Sequence, residues 1–142
     1  MVQATLVNGL AGGVVATIVM TVFMMALGDD SPPPTAVLWA KYVGDGPPED
    51  YMMPGMALHM LYGLGAGVAF ALAVPLLGLT VTLTTAVGLG IAYGLGLTVV
   101  GAVLWMRIVL GMEPEPPQVA MFTFFHLVYG VVLGALVGVG VL

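Results

Sequence analysis

Long apolar stretches, interrupted only by short groups of charged and proline residues, dominate the chain. The first runs over about residues 6–27 and ends at Gly28, after which the letters DDSPPP oppose further helix. Later apolar stretches cover about residues 55–77, 81–110 and 118–142. Each can cross a hydrocarbon layer of about 30 Å as a helix. The pattern predicts a single transmembrane domain with four spans, numbered one to four along the chain.

Charged side chains occur in only two short stretches, residues 29–50 and 107–115. The first also carries Trp39, Tyr42 and several prolines, so it predicts a short helix at the headgroup level over about residues 34–43. Both basic residues, Lys41 and Arg107, lie in these stretches. By the positive-inside rule, we expect a multi-pass protein of the cell membrane with cytoplasmic charged loops and both termini outside.

The composition agrees with a membrane protein. Of the 142 residues, 61% are hydrophobic and 6% are charged, whereas soluble domains carry about 25% charged residues. The net charge of -5 argues against nucleic acid as a partner, because nucleic acid needs clustered Lys and Arg. The excess of acids also fits a salt-adapted, halophilic source. Cysteine is absent, which excludes disulfides and thiolate metal sites.

Two similar segments indicate that the chain is a duplicated helical hairpin. HMLYGLGAG begins at His59 and HLVYGVVLG begins at His126, and both read His-x-x-Tyr-Gly-x-x-x-Gly. A helix exit with acids and then prolines also follows both span one and span three. We therefore predict an all-α fold of two similar hairpins, about residues 1–77 and 78–142. A pseudo-twofold axis along the membrane normal would relate them.

Glycines at four-residue spacing predict where helices pack together. Small residues at this spacing let helix backbones approach closely. Span four has the longest such ridge, which makes it a candidate contact with a second copy of the chain. The glycines of span three also make it the span most able to bend. The predicted helix-packing positions in spans two and four are Gly63, Gly67, Gly130, Gly134 and Gly138.

His59 and His126 are the ionisable side chains that the pattern places clearly inside spans. Each shares a helix face with packing glycines, so both are expected to point into the bundle. Tyr62 and Tyr129 lie one turn further along and are candidate hydrogen-bond partners. Because ionisable groups inside a membrane are functional candidates, these four residues form the predicted polar site of the bundle interior.

Four interpretations of the histidine pair are open. The pair could be a cofactor-binding site for haem b, since two histidines on facing helices can be axial ligands. It could bind copper together with Met20, Met24, Met56 and Met60, because thioether and imidazole ligands suit Cu(I). It could belong to a proton or solute pathway. It could also simply join helices by hydrogen bonds. No cofactor or metal is required by the sequence.

Catalytic motifs are missing from the sequence. There is no Gly-x-Ser-x-Gly, no His-Glu-x-x-His and no phosphate loop, and the sole serine, Ser31, lies in a proline-rich loop. We expect a small non-enzymatic membrane protein that binds or transports a solute or serves as an accessory component. The alternative is an electron-transfer subunit with haem b between His59 and His126. Expected partners are membrane lipids and either further copies of the chain or a larger membrane complex.

Two pieces of the sequence resemble a known group of proteins. GLAGGVVATIVMTVFMMALG at the start and HMLYGLGAGVAFALAVP later are similar to small archaeal and bacterial four-span membrane proteins of unknown function, YagU-like in general plan. The resemblance covers mainly the first half of the chain, and the second His-x-x-Tyr-Gly, at His126, lies outside it. It implies a cell-membrane location and a four-helix fold, and it brings no catalytic residues.

Overall fold

The structure, a computed structural model, describes residues 5–140, and this part of the chain is all-helical. It contains five α-helices, with short 3-10 turns at both ends of the third and a π-helix at the end of the fourth. The α-helices are α1 (Leu6–Leu27), α2 (Pro34–Tyr42), α3 (Met52–Ala73), α4 (Leu83–Val99) and α5 (Pro116–Val139).

Four of these helical segments are long and apolar enough to cross a membrane. The prediction of an all-α fold with four spans and one short additional helix is therefore confirmed. The four segments with their extensions are Leu6–Leu27, Pro48–Leu77, Leu83–Val109 and Pro116–Val139.

Local capping chemistry explains where the spans begin and end. The Thr5 hydroxyl accepts the N–H of Asn8 at 3.1 Å and caps the start of α1. Thr82 and Thr85 form a reciprocal capping box that starts α4. At Gly78, a φ of +64° turns the chain between α3 and α4, a backbone conformation that favours glycine.

The third span changes from α-helix to π-helix at Val100, and the π segment continues to Val109. The π-helix is rare, and it occurs mostly as single-turn bulges that are frequently found at functional sites. Gly101 lies at the start of this segment, where an added Cβ would lie 2.6 Å from a ring carbon of Phe122. The irregularity thus falls in the span whose glycines predicted a bend.

The far end of the π segment is fastened to α2. The carbonyl of Val109 accepts a hydrogen bond from Lys41 Nζ at 2.8 Å and another from the Tyr42 hydroxyl at 3.2 Å. Helix α2 also packs against the beginning of α3, where an added Cβ at Gly55 would lie 2.6 Å from the Cα of Ala36. The short helix is therefore held at two places on the charged end of the bundle.

Glycine contacts hold α1 against α3. A Cβ added at Gly13 would lie 2.9 Å from the Gly63 carbonyl oxygen, and one added at Gly67 would lie 2.5 Å from the Gly13 Cα. Further along, a Cβ at Gly9 would lie 2.6 Å from the Ala71 Cβ. The two backbones therefore touch over several turns, and any side chain at these positions would force the helices apart.

The α4–α5 pair is built in the same way. Gly90 and Gly130 face each other so closely that a Cβ on either would collide with the carbonyl of the other. A Cβ at Gly138 would lie 2.9 Å from the Ala86 Cβ, and a Cβ at Gly134 would collide with the Ala86 carbonyl. The glycine ridge of span four is thus covered by α4 of the same chain, so it does not offer the contact with a second copy that the sequence suggested.

The two pairs meet through larger side chains. Helices α1 and α5 share a buried core that includes Ala16, Leu133 and Val137. Between α3 and α4, the Tyr93 hydroxyl donates to the Ala66 carbonyl at 2.8 Å, and the Tyr93 and Phe70 rings lie 5.2 Å apart. The pairs thus meet through side chains, whereas within each pair the backbones come into direct contact.

Replacing Gly90 by alanine tests the backbone contact. We expect Gly90→Ala to lower the free energy of unfolding by about 1–3 kcal/mol, because the added methyl group collides with the Gly130 carbonyl. Gly88→Ala is the matched control, since a Cβ at Gly88 meets no atom within 4 Å. It should change the free energy by less than about 1 kcal/mol, towards greater stability. Unfolding in dodecyl sulfate mixed micelles, followed by circular dichroism, measures both. Equal effects would contradict the close contact.

Candidate functional site

His59 lies near the start of α3 and is partly buried. Its Nε2 atom is buried and has no hydrogen-bond partner. The ring lines a cavity that is also lined by His126, so the structure brings the two predicted histidines to one site. A buried ring nitrogen without a partner is unusual in a folded protein, where buried polar atoms are nearly always hydrogen-bonded.

His126 lies on α5 and is only 8% exposed. Its Nδ1 lies 2.8 Å from the Phe122 carbonyl, one turn earlier on the same helix, and its ring packs on the Phe122 ring with centroids 4.2 Å apart. A carbonyl can only accept, so Nδ1 must carry the hydrogen. In the neutral ring this leaves a free electron pair on Nε2, on the opposite side of the imidazole from the carbonyl.

The two tyrosines predicted beside the histidines occupy different environments. Tyr129 is 2% exposed, and its hydroxyl donates to the carbonyl of Gly63 at 2.5 Å, so it joins α5 to α3 instead of pairing with a histidine. Tyr62 is 39% exposed, and its ring packs edge-on against Trp105 with centroids 6.5 Å apart. Tyr62 lines the histidine cavity, and Tyr129 lines a smaller recess of about 30 Å³ that both histidines also reach.

The histidine cavity has a volume of about 240 Å³ and an almost wholly apolar lining. Besides the two histidines, Thr35 lines the cavity, and its Oγ1 is buried without a hydrogen-bond partner. Met20 and Met24 contribute thioethers from α1. The cavity therefore presents a few polar or polarizable atoms in apolar surroundings, which is the usual make-up of a small-ligand pocket.

A wider opening of about 590 Å³, here called the methionine vestibule, lies next to the histidine cavity. The two share lining residues, among them Met24, Phe122 and Phe125. Methionines from all four spans and from the loop before the fourth line the vestibule, and part of its wall is the DDSPPP loop. The vestibule methionines are Met24, Met25, Met52, Met56, Met106, Met112 and Met121.

Acidic side chains lie where the vestibule meets the loop after α1. Asp29 and Asp30 both line this part of the wall. Ser31 donates its hydroxyl and its backbone N–H to the Asp29 carboxylate, and these hydrogen bonds hold the pKa of Asp29 below its ordinary value. Asp29 therefore keeps its negative charge at neutral pH, and a cation near the vestibule is attracted to it.

Several residues of the site were not among the predicted site residues. Thr35 and Trp105 reach the cavity from α2 and from the π segment, and neither placement follows from hydropathy. Of the methionines in the copper interpretation, Met20 and Met24 line the histidine cavity and Met56 lines the vestibule, whereas Met60 lines neither. The distribution of methionine could have predicted this clustering. No methionine occurs between residues 61 and 105, so the methionines lie mostly beside the charged stretches.

The fold and site define an α-helical bundle with four membrane-length spans and a largely apolar pocket, lined by two histidines, near its charged end. No family model, curated protein or solved structure matches the chain. The resemblance to YagU-like proteins therefore stays a prediction.

Tyr129→Phe tests the hydrogen bond that crosses the site. We expect it to lower the free energy of unfolding by about 1 kcal/mol, because the Gly63 carbonyl loses its donor in a buried place. Tyr62→Phe is the matched control, since the Tyr62 hydroxyl makes no hydrogen bond in the described part of the chain. Its effect should be near zero in the same unfolding measurement. A larger loss for Tyr62→Phe would show that the two tyrosines have been assigned the wrong roles.

Proposed function

We propose that the chain is a non-enzymatic membrane protein that binds a small ligand at His59 and His126, as a transport or accessory component. One observation carries this proposal: the buried Nε2 of His59 has no hydrogen-bond partner, and the His59 side chain lines a cavity that His126 also lines. Leaving such an atom unsatisfied costs about 1–3 kcal/mol. A ligand that accepts or donates at this nitrogen would remove that cost.

The geometry argues against histidines that serve only to join helices. His126 bonds to a carbonyl of its own helix, and His59 has no partner for Nε2. Hydrogen bonds between spans are made instead by tyrosines, from Tyr129 to Gly63 and from Tyr93 to Ala66. The imidazoles are therefore available for binding, while other side chains connect the helices.

Access to this site would come from the charged end of the bundle. The vestibule lies beside the cavity, shares lining residues with it and is bordered by the loop that carries Asp29 and Asp30. With Lys41 and Arg107 on the same end, the positive-inside rule favours a cytoplasmic location for it and an external one for the termini. The ligand would then exchange with the cytoplasm.

We also propose that the two hairpins arose by duplication. Gly13 packs on Gly63, one turn after His59, and Gly90 packs on Gly130, one turn after His126. These contacts recur in register with the His-x-x-Tyr-Gly motif. Tyr62 and Tyr129 differ in burial, however, so the ancestral symmetry would have been lost at the site itself.

The natural lack of cysteine makes the access route directly measurable. A single thiol at Leu58→Cys, in the cavity wall, should react with aminoethyl methanethiosulfonate added on the charged side, because the reagent can enter through the vestibule. Leu72→Cys is the control for a lipid-facing position, since Leu72 is exposed and lines neither cavity. Its thiol should react far more slowly, because a thiol in lipid stays protonated.

Thiol modification also measures the orientation of the chain in the membrane. In inverted vesicles, a membrane-impermeant thiol reagent should modify Asp45→Cys in the charged loop rapidly, and in right-side-out vesicles it should not. The binding proposal is contradicted if the Leu58→Cys thiol stays unmodified from both sides while the Asp45→Cys thiol reacts fully.

The haem alternative has one observation in its favour, the shared cavity of the two histidines. The volume of that cavity, about 240 Å³, opposes it. Pockets for drug-sized ligands have volumes of about 300–1,000 Å³, and haem is larger than most drugs. The cavity size therefore supports a smaller ligand.

A dithionite-reduced minus oxidised absorption spectrum of the purified protein tests the haem alternative. We expect no haem band, because the cavity would have to expand to admit the macrocycle. A haem band that disappears in both His59→Ala and His126→Ala would overturn this expectation and establish the electron-transfer function.

A further inference from the structure

We propose that the ligand of the histidine cavity is a soft monovalent metal ion, Cu(I), bound by Nε2 of His59 and His126 with thioethers of Met20 and Met24. This inference rests on the proposed binding function and names its substrate class. The methionine vestibule would be the route by which the ion reaches the site.

The donor atoms around the cavity select for this class of metal. Among the described residues, no group of three or more His, Asp or Glu side chains could hold a metal ion. What the cavity offers is two imidazoles and two thioethers. Such soft donors suit Cu(I), whereas hard ions such as Mg²⁺ and Ca²⁺ need carboxylate and carbonyl oxygens.

The absence of charge on the donor atoms also favours a monovalent ion such as Cu(I). Imidazole and thioether are both neutral, so a bound ion keeps its full charge inside an apolar cavity. The cost of taking an ion out of water rises with the square of its charge, so a divalent ion would face a penalty about fourfold larger than a monovalent one. A neutral set of ligands therefore favours a monovalent ion.

The two histidines already have the chemistry that a metal needs. The Nδ1–H of His126 is bonded to the Phe122 carbonyl, which fixes the tautomer with a free pair on Nε2. Metal-binding histidines commonly donate their other ring N–H in this way, and the bond orients the ring. His59 contributes a second ring nitrogen that has no other partner.

The distribution of methionine distinguishes a metal route from simple packing. Methionine as a flexible packing residue would be expected wherever the helices meet. Here no methionine occurs between residues 61 and 105 or after residue 121, although these segments contain most of α3, α4 and α5. Seven methionines instead line one opening, and Met25 in it is 80% exposed.

These thioethers would form a chain of weak binding steps from the surface to the histidines. Asp29 and Asp30 attract a cation to the outer part of the vestibule. The vestibule methionines then offer neutral soft ligands, and Met24 lines both the vestibule and the histidine cavity. Methionine has three rotatable bonds, so a thioether can follow an ion as it passes.

The test is Cu(I) retention by the detergent-purified full chain under anaerobic conditions, with bicinchoninate as the competing chelator. We expect wild type to retain at least one equivalent of Cu(I), and to lose Zn²⁺ to a zinc chelator of matched strength in a parallel competition. A double variant, Met20→Leu with Met24→Leu, should weaken Cu(I) binding at least tenfold. Leucine conserves the volume of methionine, so this variant should fold normally.

The matched control is Met53→Leu with Met60→Leu, which changes the same number of thioethers outside the cavity and the vestibule. It should bind Cu(I) as wild type does. X-ray absorption at the copper edge gives an independent readout, because sulfur scattering should disappear in the Met20→Leu, Met24→Leu variant and nitrogen scattering should remain. His59→Ala and His126→Ala should each weaken binding further than the methionine pair.

Three results would overturn the proposal: no Cu(I) retained by wild type, Zn²⁺ held as tightly as Cu(I), or equal losses in the two methionine double variants. The reactivity of the Leu58→Cys thiol shows whether only the Cu(I) proposal is wrong or whether the proposed binding function is wrong as well. A reactive Leu58→Cys thiol with no Cu(I) retention leaves a binding cavity for another small ligand, whereas an unreactive thiol removes the cavity itself.

Discussion

Direct contact between helix backbones is the interaction on which this structure depends. In the α1–α3 and α4–α5 pairs, glycines bring carbonyl oxygens and Cα atoms of neighbouring helices together, and there is no room for even a methyl group at the closest points. Lipid provides no hydrophobic force that would drive two apolar helices together, so close packing of this kind must supply much of the attraction. These contacts concentrate towards the end of the bundle opposite the charged loops.

The placement of the glycines explains why the bundle is open at its other end. The last close backbone contact of the α1–α3 pair is at Gly63, one turn after His59, whereas on the α4–α5 pair these contacts continue to His126, whose carbonyl would collide with a Cβ added at Gly94. Beyond this level the helices carry larger side chains, including Met20, Trp105 and Phe122, which cannot fill the space between them completely. The cavity therefore lies where contact between helix backbones gives way to contact through side chains.

The sequence was sufficient for the fold because membrane helices are signalled by length and hydropathy, and Gly28, Gly78 and the proline loops mark their ends clearly. The histidine pair was also predictable, since ionisable residues are rare in apolar spans. The roles of Tyr62 and Tyr129 could not be predicted, because the two tyrosines occupy the same motif position but have different neighbours: Tyr62 packs on Trp105, and Tyr129 bonds to Gly63. The change of the third span to a π-helix at Val100 carries Trp105 against Tyr62, and no residue pattern encodes that pairing.

The hydrogen bond between His126 Nδ1 and the Phe122 carbonyl also bears on whether protons could move through the site. A relay needs an imidazole that takes up a proton at one nitrogen and releases one from the other. At His126, the proton on Nδ1 faces a carbonyl oxygen of its own helix, which is too weak a base to accept it. A proton could therefore be taken up and released only at Nε2. His126 can end a proton path, but it cannot pass a proton from one side of its ring to the other.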